Sequence, residues 1–222
     1  MNQTQLTNRW LLPEGIEEIL PPDAAALDHL TRRIIDQFGA WGYQLVTPPL
    51  IEYLDSLLTG TGKDLELQTF KVTDLMSGRM LGIRADTTPQ VARIDAHNLK
   101  RDTPVRLCYA GTVLHTRPAS SGGTRSPLQV GAELYGHAGI ESDAEILCLM
   151  LETLLSIGVQ DLHIDLGHVG VYRGLVNLAG LDETTQARMF DTLQRKARPE
   201  LEQLLGELSL ADGISDAFLA LV

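Results

Sequence analysis

Cysteine is scarce: the 222-residue chain has two, Cys108 and Cys148. Two thiols make no disulfide framework. Both fall within apolar patterns, so they are expected as buried free thiols of a reducing compartment. Positive charge is short too, Lys+Arg 18 against Asp+Glu 29 giving a net charge of −11. Binding nucleic acid by bulk phosphate neutralisation needs a basic surface, so that class is set aside unless a local basic groove supplies one. Long apolar runs are missing. A run such as Ile146 to Leu151 is far too short to span a bilayer. Met1 to Asn8 is polar and lacks the apolar stretch of a secretory signal. A soluble, cytoplasmic protein with no membrane contact is expected. Metal-ligand spacings such as HExxH and CxxC do not occur, and Ser120 and Ser121 have only loop context, with no base to activate them. No metal and no cofactor are expected.

What is present suits a folded chain. Hydrophobic residues at 44% and charged residues at 21% exclude a disordered chain, and the length can bury a sizeable core. Leu27, Leu30, Ile34 and Phe38 recur at helical spacing after Pro21-Pro22-Asp23, with Gly39 as the stop. Tyr43 to Thr47 reads as a strand ended by Pro48-Pro49. Leu67 to Thr73 and Met80 to Arg84 flank a Ser77-Gly78 turn, a hairpin signal. Thr88-Pro89 predicts a helix start, with Thr88 as the capping residue. Val105 to His115 and Leu128 to Gly136 are the clearest strands, joined by a loop over Arg117 to Arg125. Ser142 with Glu145 predicts a capping box for an apolar helix that stops at Gly158. Leu162 to Leu166 alternates as a strand. From about Asp182 the pattern is helical, broken by Pro199 and Gly213. Strands with irregularly placed helices predict an α+β fold with a mainly antiparallel sheet. The composition shift near Asn177 divides the chain into a core over 1–176 and a helical subdomain over 177–222.

Two places could carry chemistry. In Leu128 to Leu134, period-two alternation puts Val130, Ala132 and Leu134 on one face and Gln129, Gly131 and Glu133 on the other. A glycine between two polar residues leaves a floor that a small molecule can approach, with an amide and a carboxylate as posts for an ammonium or imidazole group. The same pattern also describes a plain solvent-facing strand. The second place is Arg84-Ala85-Asp86-Thr87-Thr88-Pro89, where a strand meets a helix start. It suits an anion at the N–H groups, a cation at Asp86, or simple capping. Gly122-Gly123 lacks the lysine and the strand–loop–helix setting of a phosphate-binding loop. His163 and Asp165 share a strand face, with His168 following, and match no ligand spacing.

These residues also carry a resemblance. Leu12-Pro13-Glu14-Gly15-Ile16, Trp41-Gly42-Tyr43 and Pro48-Pro49-Leu50-Ile51-Glu52 resemble the opening and motif 1 of histidyl-tRNA synthetase-like proteins. Ile83 to Pro89 resembles their amino-acid-binding turn, and Tyr109-Ala110-Gly111 through Gln129 to Gly136 their motif 2 hairpin. Gly167-His168-Val169-Gly170 is similar to the strand–helix junction that follows. The resemblance implies the class II aminoacyl-tRNA synthetase core, dimeric through motif 1, with residues 177–222 as the start of a helical insertion. It also implies a chain cut short at its C-terminal side, since later strands and motif 3 have no counterpart.

One motif departs. Active synthetases have Phe-Arg-x-Glu, whose arginine grips the ATP α-phosphate and whose glutamate reads adenine. Here the stretch is Leu114-His115-Thr116-Arg117. Imidazole is a poor replacement for a bidentate cation, and a guanidinium accepts no hydrogen bond. Asp86, Thr88, Gln129 and Glu133 remain as the posts of a histidine-type pocket. A core of this kind resembles the regulatory subunits of ATP phosphoribosyltransferase, as does the run Arg84 to Arg93. That resemblance implies a non-catalytic role in histidine biosynthesis, a short catalytic subunit as partner, a homodimer core within a hetero-oligomer, and histidine feedback. A fragment of an active histidyl-tRNA synthetase is the alternative.

Overall fold

A computed structural model of the chain describes residues 10–60, 62–120, 122–208, 210 and 213–222. The readings for Met1 to Asn8 and for Ser121 lie outside the described residues. Helix α1 (Asp23–Ala40) turns Ile34 and Phe38 into the core and carries Asp23 in its first turn, at the positive end of the helix dipole. It runs one residue past Gly39. The turn is made instead by Gly42 at φ 86°, closed by Tyr43 N–H on Phe38 O at 3.0 Å.

The strand after it, β1 (Gln44–Leu45), is shorter than the Tyr43–Thr47 run suggests. Next come β2 (Ile51–Tyr53), α2 (Leu54–Leu57), α3 (Lys63–Gln68), β3 (Phe70–Thr73) and β4 (Met80–Ile83). Leu67 and Gln68 close α3 rather than open a strand, because Asp64 and Glu66 favour a helix start there. The expected hairpin joins β3 and β4 with Gly78 at φ 71°. Helix α4 (Thr88–Arg93) continues as a π-helical segment over Ile94–Leu99. The long hairpin is β5 (Val105–Thr112) and β6 (Leu128–Tyr135). One sheet has the order β1-β5-β6, with β1 parallel to β5 and β6 antiparallel to it. The other, β2-β4-β3, is antiparallel throughout. The α+β, mainly antiparallel expectation holds.

The two faces of the hairpin bury different clusters. Cys108, Val130 and Ala132 pack with Ile34, Phe38 and Leu149 from α1 and α5 (Ile140–Ser156). Leu107 and Tyr109 pack on the other face with Val91 and Val105. Cys108 is buried as expected, but Cys148 is exposed. Helix α5 is apolar on more than its core face, so composition alone hides which side turns inward. The Ser142–Glu145 capping box does not form. Arg106 takes the Glu145 carboxylate with Nε and Nη2, each at 2.6 Å, and the Tyr43 hydroxyl adds a third bond at 2.9 Å. A bidentate guanidinium outcompetes a single backbone N–H. Ser142 Oγ pairs instead with His137 Nδ1.

The chain divides into two compact units, one ending at Leu162 and the other running from His163 to Val222. This boundary precedes the expected one at 176/177. Helix α6 (Val169–Ala179) packs Val176, Tyr172 and Leu175 into the same cluster as α7 (Glu183–Gln194), α8 (Arg198–Leu208) and α9 (Ile214–Leu219). Leu162 to Leu166 is not a strand. Among the described residues no neighbour bonds to it, and Ile164 and Leu166 face solvent. Pro199 sits in the first turn of α8, where its missing N–H costs nothing, instead of breaking a helix. Asp182 caps α7 by accepting Thr185 N–H at 2.9 Å.

Candidate functional site

The hairpin register sets the site. Leu107, Tyr109 and Gly111 of β5 lie opposite Glu133, Gly131 and Gln129 of β6, so all six share one face. The turn before α4 closes onto that face. Gln129 Nε2 donates to Asp86 Oδ1 at 2.8 Å, and its Oε1 accepts Thr87 N–H at 2.9 Å. Asp86 Oδ1 also accepts Thr88 N–H at 3.0 Å. The Thr88 hydroxyl donates to Glu133 Oε1 at 3.0 Å. All four residues singled out in the sequence therefore meet in one hydrogen-bonded cluster. Thr88 is not the capping residue. The residue before the helix is Thr87, which frees the Thr88 side chain for Glu133.

Gly131 is not an open floor. The Tyr109 ring lies over it, so that an added Cβ would come within 2.5 Å of Tyr109 Cζ. The Tyr109 hydroxyl lies 3.2 Å from Thr88 Oγ1 and 3.3 Å from Glu133 Oε1. Sequence reading missed Tyr109. The available signal was its cross-strand place opposite a glycine flanked by two polar residues. Burial pushes the Tyr109 hydroxyl up to about 12. Burial also raises the Glu133 carboxyl above its usual range, against the Thr88 and Tyr109 hydrogen bonds, with the Asp86 charge adding to the rise. The cluster thus pairs a desolvated carboxylate with a second acid, an amide and two hydroxyls, a set of acceptors suited to a small cationic or N–H-rich group. Thr88 also lines a cavity of about 450 Å³ with Ser56, Thr59, Pro89, Arg93 and His97.

Gly131→Ala is expected to force Tyr109 out of this face and to cost about 1–3 kcal/mol, the usual cost of overpacking. Denaturant unfolding of the two proteins side by side measures it, and an unchanged midpoint contradicts this placement of Tyr109.

The other candidates stay outside the cluster. His115 Nε2 lies 2.9 Å from Ala85 O, tied to the turn's backbone, and the residue lines a surface cavity of about 540 Å³. Arg117 is exposed and lines two surface cavities of about 300 and 540 Å³. His163 and Asp165 meet at 3.2 Å with both side chains exposed, and His168 accepts Gly170 N–H to cap α6. Among the described residues no three His, Cys, Asp or Glu side chains gather as metal ligands, and no helix is long and apolar enough to cross a membrane.

A β5–β6 hairpin whose polar face meets the turn before α4, with helices on the opposite face, defines a class II aminoacyl-tRNA synthetase-like core. Residues 15–222 match the histidyl-tRNA synthetase family, and the chain belongs to that family. It is 59% identical to an ATP phosphoribosyltransferase regulatory subunit of Thioalkalivibrio sulfidiphilus, over 97% of this chain and 54% of that protein. It is 57% identical to one of Methylococcus capsulatus, over 97% and 53%. The chain spans about half the length of these curated relatives. A solved structure described as an ATP phosphoribosyltransferase regulatory subunit/histidyl-tRNA synthetase from Bacillus halodurans is 25% identical, with a TM-score of 0.85 over 95% of this chain and 54% of that one. The resemblance to the regulatory subunits, drawn from Arg84 to Arg93 and from His115 and Arg117, is borne out by these relatives.

Proposed function

We propose that the chain serves as the histidine-sensing core of a non-catalytic regulatory subunit of ATP phosphoribosyltransferase, in the cytoplasm. In this reading it activates a short catalytic subunit and contributes to histidine feedback. Its core forms a homodimer through the Pro49 segment, and the helical unit that contains residues 177–222 is an insertion. The observation that carries the reading is a pairing: an amino-acid-type cluster of Asp86, Thr88, Gln129 and Glu133, beside a motif 2 that holds His115 and Arg117 where ATP handling needs arginine and glutamate. The names of the relatives support it.

Histidine meets this cluster as an ammonium for the two carboxylates and an imidazole N–H for a remaining acceptor. ATP finds no matching clamp, because His115 is bonded to Ala85 O and a guanidinium at 117 cannot accept from the adenine amino group. The reading expects no histidine-dependent exchange of pyrophosphate into ATP by the full chain. Exchange at a rate comparable to a histidyl-tRNA synthetase assayed in parallel favours the alternative, a fragment of an active synthetase.

A further inference from the structure

Arg84 is buried, and its guanidinium bonds to main-chain carbonyls rather than to an acid. Nε donates to Thr112 O at 3.0 Å and Nη1 to Pro48 O at 3.0 Å. Nη2 lies in the space beside Gly111, where any Cβ would overlap it. Among the described residues no carboxylate forms an ion pair with it, and burial alone pulls its pKa below the usual guanidinium value. Burying an uncompensated cation is costly, so a guanidinium kept here is expected to do something that a neutral side chain cannot.

The position shows what that is. The Arg84 backbone N–H donates to Leu50 O and its carbonyl accepts Leu114 N–H, each at 3.0 Å. The residue is thus held to the Pro48–Leu50 segment, to the end of β5 and to the chain leaving β5. The next residue, Ala85, bonds His115, and the two after that, Asp86 and Thr87, bond Gln129. On the far side of the turn, Gln90 Nε2 donates to Pro49 O at 2.8 Å and to Glu52 Oε1 at 3.0 Å. The turn that presents Asp86 and Thr88 is therefore anchored at both ends to the same segment, Pro48 to Glu52. Of these two anchors, Arg84 also reaches the hairpin that carries Gln129 and Glu133, through Thr112 O.

We infer that Arg84 is a positioning residue of the site: its planar guanidinium, spanning the carbonyls of Thr112 and Pro48 above Gly111, fixes the Asp86–Thr88 turn at hydrogen-bonding distance from Gln129 and Glu133. A lysine keeps the charge but has no rigid fork to span two carbonyls. Gly111 is the complementary part, a residue whose missing side chain makes room for Nη2.

The test uses the full chain and reads the turn before it reads any ligand. Hydrogen exchange of the Thr87 and Thr88 amides is compared in wild type, Arg84→Lys and Gly111→Ala, with Cys108 in β5 as the internal control. At least tenfold faster exchange at Thr87 and Thr88, with Cys108 unchanged, is the expected result. Unchanged exchange at Thr87 and Thr88 in both variants overturns the inference. If neither variant folds, the wild-type Arg84 Nε–H resonance decides. A signal that persists at neutral pH supports the bond to Thr112 O, and one lost to rapid solvent exchange overturns it.

A second arm rests on the reading of the cluster as a histidine pocket. In it, histidine affinity falls at least tenfold in both variants. Absence of histidine binding by the wild type counts against that reading alone, since the exchange result stands without a ligand. Tight wild-type binding that both variants retain overturns the role of Arg84.

Discussion

Glu133→Gln is expected to weaken histidine binding tenfold or more while leaving the chain at least as stable at pH 7. The two effects have opposite signs because they arise from different states of one carboxyl. Burial raises the Glu133 pKa in the folded chain. The folded state therefore holds that proton more tightly than the unfolded state does. Its contribution to stability is complete below the unfolded value of about 4.3 and is lost as pH rises through the higher folded value. Above that range, ionising a desolvated carboxyl beside Asp86 weakens the fold. The amide removes that penalty, and its oxygen still accepts from Thr88 and Tyr109. A bound ammonium or imidazole N–H loses a charge-assisted bond in the variant, a contribution of about 1.5–3 kcal/mol when buried. A factor of ten corresponds to about 1.4 kcal/mol. Calorimetric titration gives the affinity, and thermal melts at pH 4 and pH 7 give the stability difference, which shrinks at the lower pH. Lower stability of the variant at pH 7 contradicts the assignment of Glu133 as a strained carboxylate, and unchanged affinity contradicts its role in binding.

Phe218→Ala is expected to unfold the helical unit. Phe218 is fully buried among Val176, Met189, Leu201, Leu204 and Leu205, with the Tyr172 ring edge-on at 6.4 Å. Removing such a side chain costs about 3–5 kcal/mol in transfer energy and cavity formation. A unit of this length has on average about 3–9 kcal/mol to lose, at 0.05–0.15 kcal/mol per residue. Hydrogen exchange should show protection lost over 169–219 and retained in β5 and β6. Protection in α6 to α9 equal to wild type contradicts the view that one cluster holds these four helices.

The parts legible in the sequence are those where local pattern and tertiary demand agree. Alternation in Leu128 to Leu134 assigned the correct residues to each face of β6, because one face must bury Val130 and Ala132 whatever covers the other. The run Arg84 to Pro89 was recognisable because strand, turn and helix start follow within six residues. What was not legible depends on distant partners. Glu145 looks like a capping residue until Arg106, 39 residues away, takes its carboxylate. Leu162 to Leu166 has a strand's alternation, yet among the described residues no neighbour supplies a ladder. In the sequence Tyr109 stands out only as part of a motif, because the space it fills above Gly131 exists only once the hairpin register is set. The compact helical unit starts before 177 for a similar reason. Composition changes there, but Tyr172, Leu175 and Val176 already pack with the helices that follow.

The central proposal, a regulatory core that senses histidine for a catalytic partner, is tested most directly by reconstitution. The full chain is mixed with a short ATP phosphoribosyltransferase catalytic subunit, and the co-purified material is assayed with and without histidine, using wild type and Glu133→Gln. The expected result is a stable complex with higher activity than the catalytic subunit alone, inhibited by histidine at least tenfold less sensitively in the variant. No complex with the catalytic subunit, or a complex inhibited equally by histidine in both forms, contradicts it.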